Sequence, residues 1–157
     1  GVGHMVLQFA KTYGAEVVAV SRAEQHLRVA EELGASAVVD SGKVDPVEEL
    51  KKLGGVDSSI VFAPSSAVVE QAIKATKLNG TIVVGVWAAL GEFAFPEEKR
   101  IVGTTIGSRQ AMREVLQLAG AGRIKPVSDE YKLEEANEVL ARLKQREVRA
   151  RAVLLPH

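Results

Sequence analysis

Two stretches decide the fold: Gly1-Val2-Gly3-His4, which leads into a helical pattern, and Glu16-Val17-Val18-Ala19-Val20-Ser21-Arg22, which has the composition of a buried strand. A dinucleotide-binding turn consists of a strand, the pattern G-x-G-x-x-G and a helix whose N-terminus receives the pyrophosphate. Only the last part of that turn is present here. The sequence therefore predicts a dinucleotide-binding fold entered partway through its first motif, and we expect the function to belong to a longer polypeptide.

Composition limits the class of protein. The chain has 157 residues, 20 basic and 20 acidic residues and no cysteine. A chain of this length buries roughly 70% of its unfolded surface, enough for one core. The balanced charge predicts neither nucleic acid nor a membrane as the main partner, and no apolar run reaches the roughly 20 residues of a bilayer helix. We expect a cytoplasmic protein.

Helical and strand-like patterns alternate along the chain. Four joints contain glycine where a helix must stop: Gly14, Gly34, Gly54 and Gly80. Glycine accepts the left-handed conformation that closes a helix, and the short apolar segment after each joint is typical of a strand covered on both faces. Helices are predicted near 3–13, 23–33, 45–53, 66–77, 109–120 and 133–144, and strands near 16–20, 37–39, 58–63, 81–86, 101–106 and 150–155.

This alternation predicts an α/β fold, a Rossmann-type doubly wound parallel sheet that lacks its first strand. The missing strand would lie between the strands at 16–20 and 58–63. The segment at 92–96 is predicted to be a short edge strand because its apolar residues alternate and it ends in proline. We expect a nucleotide-binding domain over 1–122 and a C-terminal tail over 123–157 that belongs partly to a substrate domain.

The opening glycines fit a phosphate site. The first N–H groups of a helix are free, and the helix dipole adds about half a positive charge there. A side chain at Gly1 would obstruct the pyrophosphate, and one at Gly3 would wedge the helix from its neighbouring strand. His4 could relay protons, bind a metal or serve as a polar first-turn residue; we favour the last.

The end of the predicted strand at 16–20 indicates cofactor choice. An acidic residue there binds the ribose 2′-hydroxyl of NAD, but this chain has Ser21-Arg22. Arg22 could hold a 2′-phosphate through a charge-assisted pair, Ser21 could donate to it, and His26 could add a third donor. NADP is thus preferred over NAD. The alternative is that Ser21 caps a helix and Arg22 is a solvated surface charge.

The ordered series of motifs resembles one family across nearly the whole chain. It includes Gly1 to Lys11, Tyr13 to Val20, Ala30 to Ala35, Asn79 to Val86, Gly107 to Gln110, Leu133 to Asn137 and Arg151 to Leu154. These segments resemble the zinc-containing alcohol dehydrogenases of the medium-chain dehydrogenase/reductase superfamily. The resemblance implies hydride transfer between an alcohol or a carbonyl compound and NAD(P) by the full-length protein. Because the first motif is incomplete, we expect the chain by itself to be inactive.

The resemblance also implies which residues contact the cofactor. Those at the pyrophosphate are Gly1, Val2, Gly3 and Arg151, and those at the ribose are Ser21 and Arg22. Phe62 and Ala63 match the adenosine side, Val84, Gly85 and Val86 match the segment beside the nicotinamide, and Thr104, Thr105 and Ile106 match the stretch that holds the carboxamide. Arg151 could instead be one of several surface arginines near the C-terminus.

The family's zinc ligands lie mainly in a region absent from this chain, so we expect zinc in the full-length enzyme but no metal site here. A zinc-free relative that reduces activated double bonds is an alternative, as is a non-catalytic nucleotide-binding or oligomerisation module. The resemblance further implies a homodimer or homotetramer paired through an edge strand near Trp87 to Phe95. The alternative for that segment is a loop covered within one subunit.

Overall fold

The computed structural model describes residues 1–156, which form two compact units. The first unit contains Gly1–Lys43 and the chain from Arg109 onward, and the second contains Val44–Ser108. The described helices and strands follow in the order α1 (Gly3–Thr12), β1 (Val18–Ser21), α2 (Glu24–Glu32), β2 (Ala37–Asp40), α3 (Pro46–Lys52), β3 (Val56–Val61), α4 (Ser66–Ala75), β4 (Thr76–Val84), β5 (Arg100–Gly103), α5 (Arg109–Gly120), β6 (Ser128–Lys132), α6 (Ala136–Lys144) and β7 (Arg151–Leu155).

The first unit has two pairs of parallel strands. β1 pairs with β2, so that Ser21 lies opposite Asp40, and β6 pairs with β7 from Ser128 and Arg151 to Lys132 and Leu155. Its buried apolar side chains come from the helices, from β2 and from the segments before β6 and β7: Leu7, Leu27, Val29, Ala30, Val39, Ile124, Val139, Val148 and Ala150.

The second unit is built on one parallel sheet in the order β3-β4-β5. Val61 lies opposite Val84, and Val84 lies opposite Gly103, so the three strands reach their carboxyl ends together. Helix α4 packs on this sheet around Val61, Val69, Ile73 and Ile82. Because Val69 and Ile82 are fully buried, the strand ends rest on a closely packed core.

The α/β class and the parallel pairing are confirmed. Gly14, Gly34 and Gly54 have φ values of 81°, 82° and 91°, so three of the four predicted helix stops are made as expected. Gly80 is different: α4 passes directly into β4, and Asn79 takes the left-handed conformation instead. Gly80 is required by close approach, because a Cβ there would overlap the Thr76 methyl group and lie 2.8 Å from the Asp57 carbonyl oxygen.

Two strand predictions differ from the structure. The edge strand expected at 92–96 is wrong: Phe95–Glu97 form one turn of 3₁₀ helix, since Pro96 lies in the first turn, where its fixed φ suits a helix. Strand β6 was not predicted, because its sequence Ser-Asp-Glu-Tyr-Lys contains no run of apolar residues. Within residues 1–156, no helix is both long enough and apolar enough to cross a bilayer.

Candidate cofactor site

The N-terminus of α1 is the predicted phosphate site. Val2 precedes the helix in a helical conformation, and its carbonyl oxygen accepts from the N–H groups of Met5 and Val6. The N–H groups before these have no partner within the helix, and free N–H groups at a helix N-terminus suit an anion. A Cβ on Gly3 would meet no atom of the described chain within 4 Å, so the close packing of Gly3 against a neighbouring strand stays a prediction.

Gly1 and Arg151 lie together in the first unit. An ideal Cβ on Gly1 would be 3.4 Å from Cζ and from Nη1 of Arg151, and 3.6 Å from the Ala150 carbonyl oxygen. The Arg151 side chain is exposed, and within residues 1–156 it has no carboxylate partner. The first residue of β7 thus brings an uncompensated positive charge to the beginning of α1, although the two positions are 150 residues apart.

His4 is a hydrogen-bonded first-turn residue. Nε2 accepts from the Val127 N–H at 3.0 Å, so the ring proton of neutral His4 lies on Nδ1 and is donated to the Gly1 carbonyl oxygen at 2.5 Å. Burial has the largest effect and lowers the pKa of His4; the hydrogen bond to the Gly1 carbonyl oxygen opposes this in part, and the nearby positive charge of Arg151 lowers the pKa further. The net result favours the neutral ring, which alone can accept from Val127.

Gln8, like His4, links α1 to the segment before β6, and it was not identified from the sequence. Its side-chain oxygen accepts from the Lys125 N–H at 2.8 Å, and its amide nitrogen donates to the Lys125 carbonyl oxygen at 2.9 Å. Gln8 is also 8% exposed, which is unusual for a glutamine. A buried polar residue one helical turn after His4 is a signal of this contact, but its partner lies 117 residues away in the sequence.

Ser21 is the last residue of β1, and Arg22 follows it directly. The Ser21 hydroxyl oxygen accepts from the Ala23 N–H at 3.2 Å, and Ala23, not Ser21, occupies the N-cap position immediately before α2. Ser21 therefore closes a local turn rather than serving as the N-cap of α2. Arg22 is exposed and, among the described residues, has no carboxylate within salt-bridge distance.

His26 lies between Ser21 and the C-terminal part of the first unit. Its Nδ1 is 3.4 Å from the Ser21 hydroxyl oxygen, and its Nε2 is 3.3 Å from the Val148 carbonyl oxygen. The Val148 carbonyl can only accept, so Nε2 of neutral His26 carries the proton and Nδ1 accepts from Ser21. Donation by His26 to a phosphate stays a prediction, and it requires one of these two hydrogen bonds to break.

The other predicted residues lie in the second unit, at the carboxyl ends of its three strands. Phe62-Ala63 follow β3, Gly85-Val86 follow Val84 at the end of β4, and Thr104 to Ile106 follow β5. The N–H of Gly85 donates to the Val61 carbonyl oxygen, and that of Thr104 donates to the Val84 carbonyl oxygen, both at 3.0 Å. In open parallel sheets, ligands bind outside the carboxyl ends of the strands, which is where these residues lie.

Packing determines which atoms at these strand ends are available to a ligand. Val84 and Val86 pack against the core of the second unit, so their side chains point inward. A Cβ on Gly85 would overlap the Phe62 ring, so this glycine is required by the contact with Phe62. Ile106, in contrast, is 92% exposed. At positions 84–86 the chain can therefore offer a ligand mainly its backbone.

The described residues do not form a zinc site. Within residues 1–156, no group of three or more His, Asp or Glu side chains is arranged to hold a metal ion. His4 and His26 have both ring nitrogens directed at other protein atoms. No chemical step is therefore assigned to a metal bound by these residues.

Comparison with known proteins gives the same family throughout. A family model described as zinc-binding dehydrogenase matches residues 1–121. An alcohol dehydrogenase from Geobacillus stearothermophilus is 34% identical over 161 residues, covering 98% of this chain and 47% of the relative. The chain spans about half the length of the curated relatives it matches.

Solved structures agree with this result. The alcohol dehydrogenase from the hyperthermophilic archaeon Aeropyrum pernix superposes with a TM-score of 0.93 at 33% identity, covering 99% of this chain and 47% of that one. An NAD-dependent alcohol dehydrogenase superposes with a TM-score of 0.87 at 29% identity, covering 100% of this chain and 48% of the other. The fold is therefore shared with these proteins, and the chain belongs to the zinc-binding dehydrogenase family.

Proposed function

We propose that this chain is the nucleotide-binding part of an NAD(P)-dependent alcohol dehydrogenase. The observation that carries the proposal is the meeting of Gly1 and Arg151 at the N-terminus of α1. A glycine that leaves space and a cation without a carboxylate partner suit a pyrophosphate, which carries negative charge in both NAD and NADP. The relatives named alcohol dehydrogenases support the choice of reaction.

Each set of residues then has a defined task. The first N–H groups of α1 and the guanidinium of Arg151 bind the pyrophosphate. Phe62-Ala63 line the adenosine side, the backbone of 84–86 supports the nicotinamide ring, and the backbone of 104–106 binds its carboxamide. When bound, the cofactor accepts a hydride from the alcohol carbon or returns it to a carbonyl compound. The chain's own residues orient the cofactor for that transfer.

We further propose that NADP(H) is preferred to NAD(H). β1 ends in Ser21 rather than in a carboxylate, so a 2′-phosphate meets no negative charge at that position. Arg22 is exposed and unpaired within residues 1–156, which leaves its guanidinium available for a bidentate contact. Ser21 contributes less, because its hydroxyl group is engaged with Ala23 and His26.

The reaction and the cofactor preference can be tested together. The full-length protein is mixed with a panel of primary and secondary alcohols and with NADP+ or NAD+, and formation of the reduced nicotinamide is followed by its near-ultraviolet absorbance. We expect turnover with at least one alcohol and a higher kcat/KM for NADP+. Absence of hydride transfer with every alcohol and, in reverse, every aldehyde or ketone of the panel would contradict the proposed activity.

Our proposals on the substrate and on zinc concern the full-length protein. We propose an alcohol, aldehyde or ketone as substrate and a zinc ion bound outside this chain, on the strength of the family alone. Metal analysis of the purified full-length protein tests the second point. Zinc removal by a chelator is expected to abolish turnover while leaving NADPH binding in place. Full turnover in a protein without zinc would favour a relative that reduces activated double bonds.

A homodimer or homotetramer is the proposed assembly. Trp87 is fully exposed and Phe95 is 83% exposed, although the segment between them forms no strand. Exposed aromatic side chains in one segment are typical of protein interfaces. Light scattering on the full-length protein is expected to give at least twice the monomer mass, and a Trp87→Ser variant is expected to reduce it. A strictly monomeric protein would contradict the proposal.

A further inference from the structure

Lys43, which the sequence analysis did not single out, lies beside the predicted ribose site. β2 ends at Asp40, directly opposite Ser21 on β1. The chain then turns so that an ideal Cβ on Gly42 would be 3.9 Å from the Arg22 carbonyl oxygen. The turn that ends in Lys43 therefore runs next to the residues proposed to select the cofactor, and all of them belong to the first unit.

Lys43 forms an ion pair with Asp40. Oδ1 of Asp40 accepts from the Gly42 N–H at 2.9 Å, and Oδ2 lies 3.0 Å from Nζ of Lys43. The Lys43 ammonium and the Gly42 N–H lower the pKa of Asp40, so this carboxylate is charged at neutral pH. The Asp40 side chain is 19% exposed and that of Lys43 is 76% exposed. The cation thus faces solvent while the anion lies beneath it.

This arrangement changes the charge that a cofactor would meet. A carboxylate close to Ser21 would repel a 2′-phosphate, and it could attract a ribose hydroxyl only through an oxygen not already occupied. Here both oxygens of Asp40 have donors, and Lys43 balances its charge. An ammonium group has three donors on a flexible stem, so Lys43 can contact an incoming anion without leaving Asp40.

We propose that Lys43 is a second residue that determines specificity for the cofactor's 2′-phosphate, binding it directly while paired with Asp40. This inference rests on the proposed preference for NADP(H). Because Lys43 is exposed, we expect removal of its charge to weaken phosphate binding about threefold. Loss of the Arg22 guanidinium, which can bind through two parallel hydrogen bonds, is expected to cost about tenfold.

Two nucleotides isolate the contribution of the 2′-phosphate. Adenosine 2′,5′-bisphosphate carries that group and 5′-AMP does not, and neither contains a nicotinamide. Calorimetric titration of the full-length protein is carried out for wild type, Lys43→Met, Arg22→Met and Lys52→Met. Lys52 is the control, because it forms an exposed pair of the same spacing with Glu49 on α3. We expect Lys43→Met to weaken the bisphosphate about threefold, to leave 5′-AMP unchanged, and Lys52→Met to alter neither.

An Asp40→Asn background separates direct contact from charge balance. Asn keeps an oxygen for the Gly42 N–H but removes the negative charge, so Asp40→Asn alone is expected to strengthen bisphosphate binding. If Lys43 contacts the phosphate, Lys43→Met still weakens binding in that background. If Lys43 only neutralises Asp40, its effect disappears there and the proposal is overturned.

Failure of this inference differs from failure of the proposed function. If Arg22→Met weakens the bisphosphate but Lys43→Met does not, the role given to Lys43 is wrong and the NADP preference stands. If wild type binds 5′-AMP as tightly as the bisphosphate, the proposed preference is wrong and the inference falls with it.

Discussion

The two units present their candidate residues in different ways. In the first unit they include three exposed cations, together with the N–H groups at the beginning of α1: Arg22 directly after β1, Arg151 at the start of β7 and Lys43 near Arg22. In the second unit they are backbone groups and packed side chains at the ends of β3, β4 and β5. One unit offers charge to a ligand, and the other offers a shaped surface.

This difference predicts which substitutions change cofactor binding and which change the stability of the protein. An exposed cation without a partner contributes little to folding, so its removal changes affinity alone. A residue whose position is fixed by the core, such as Gly85 under Phe62, cannot be replaced without disturbing the core as well. We therefore expect substitutions of closely packed residues in the second unit to lower the free energy of unfolding, and those of the arginines in the first unit to change cofactor binding.

Ile82→Ala is expected to have the largest effect. Ile82 is fully buried at the centre of the second unit, and truncation there removes apolar contacts and leaves a cavity. The free energy of unfolding is expected to fall by about 2–5 kcal/mol, measured by urea denaturation of the full-length protein. Ile60 on the neighbouring strand is 47% exposed, and Ile60→Ala is expected to cost about 1 kcal/mol or less. Equal costs would mean that this core is not closely packed.

Gly85→Ala is expected to destabilise the second unit by about 1–3 kcal/mol. The added methyl group overlaps the Phe62 ring, which has to leave its position. Gly103, at the end of the adjacent strand, is the control: its added Cβ meets nothing within 4 Å, so Gly103→Ala is expected to change the free energy of unfolding by less than about 0.5 kcal/mol. A neutral Gly85→Ala variant would show that Phe62 does not depend on this glycine.

Arg151→Met tests the first unit. The pyrophosphate is common to both cofactors, so calorimetry is expected to show NADPH and NADH affinities lowered by a similar factor, about tenfold, with unchanged stability. Arg149 lies two residues earlier and pairs with Asp129, which makes Arg149→Met a matched control without effect on either affinity. Unchanged binding in Arg151→Met would remove this arginine from the phosphate site.

His4 provides the smallest expected effect, a dependence of stability on pH. Burial lowers the pKa of His4 in the folded protein below its unfolded value. Its contribution to stability is thus complete above pH about 6.5 and is lost as the pH falls through the folded-state pKa. Urea denaturation of wild type and His4→Gln across this range is expected to show the wild type losing more stability on the acid side. Identical pH profiles would contradict the lowered pKa of His4 in the folded protein.

Local signals made much of the fold predictable. Gly14, Gly34 and Gly54 each end a helix because a positive φ is a local requirement that glycine meets at little cost. Local sequence did not predict the structure at positions that depend on residues elsewhere in the sequence. Gly80 is required by a carbonyl group of another strand, and the polar strand β6 is formed by pairing with β7.

The same distinction between local and long-range determinants applies to the candidate site. The positions of β1, β3, β4 and β5 follow from the alternation of helical and strand-like segments. The cofactor contacts predicted for Gly85 and for the other residues at the ends of β3, β4 and β5, in contrast, rest on the family resemblance. The hydrogen bonds of Gln8 to Lys125 and of His26 to Val148 join residues more than a hundred positions apart. The Asp40–Lys43 pair is local in the sequence, but its position beside Ser21 depends on the pairing of β2 with β1.

The central claim is that exposed cations of the first unit bind the phosphates of a nicotinamide dinucleotide. Calorimetric titration of the full-length protein with NADPH and with NADH tests it most directly. The account predicts that both bind and that NADPH binds at least about tenfold more tightly, because only NADPH carries the 2′-phosphate that Arg22 can hold. Binding of NADH as tightly as NADPH, or of neither, would contradict it.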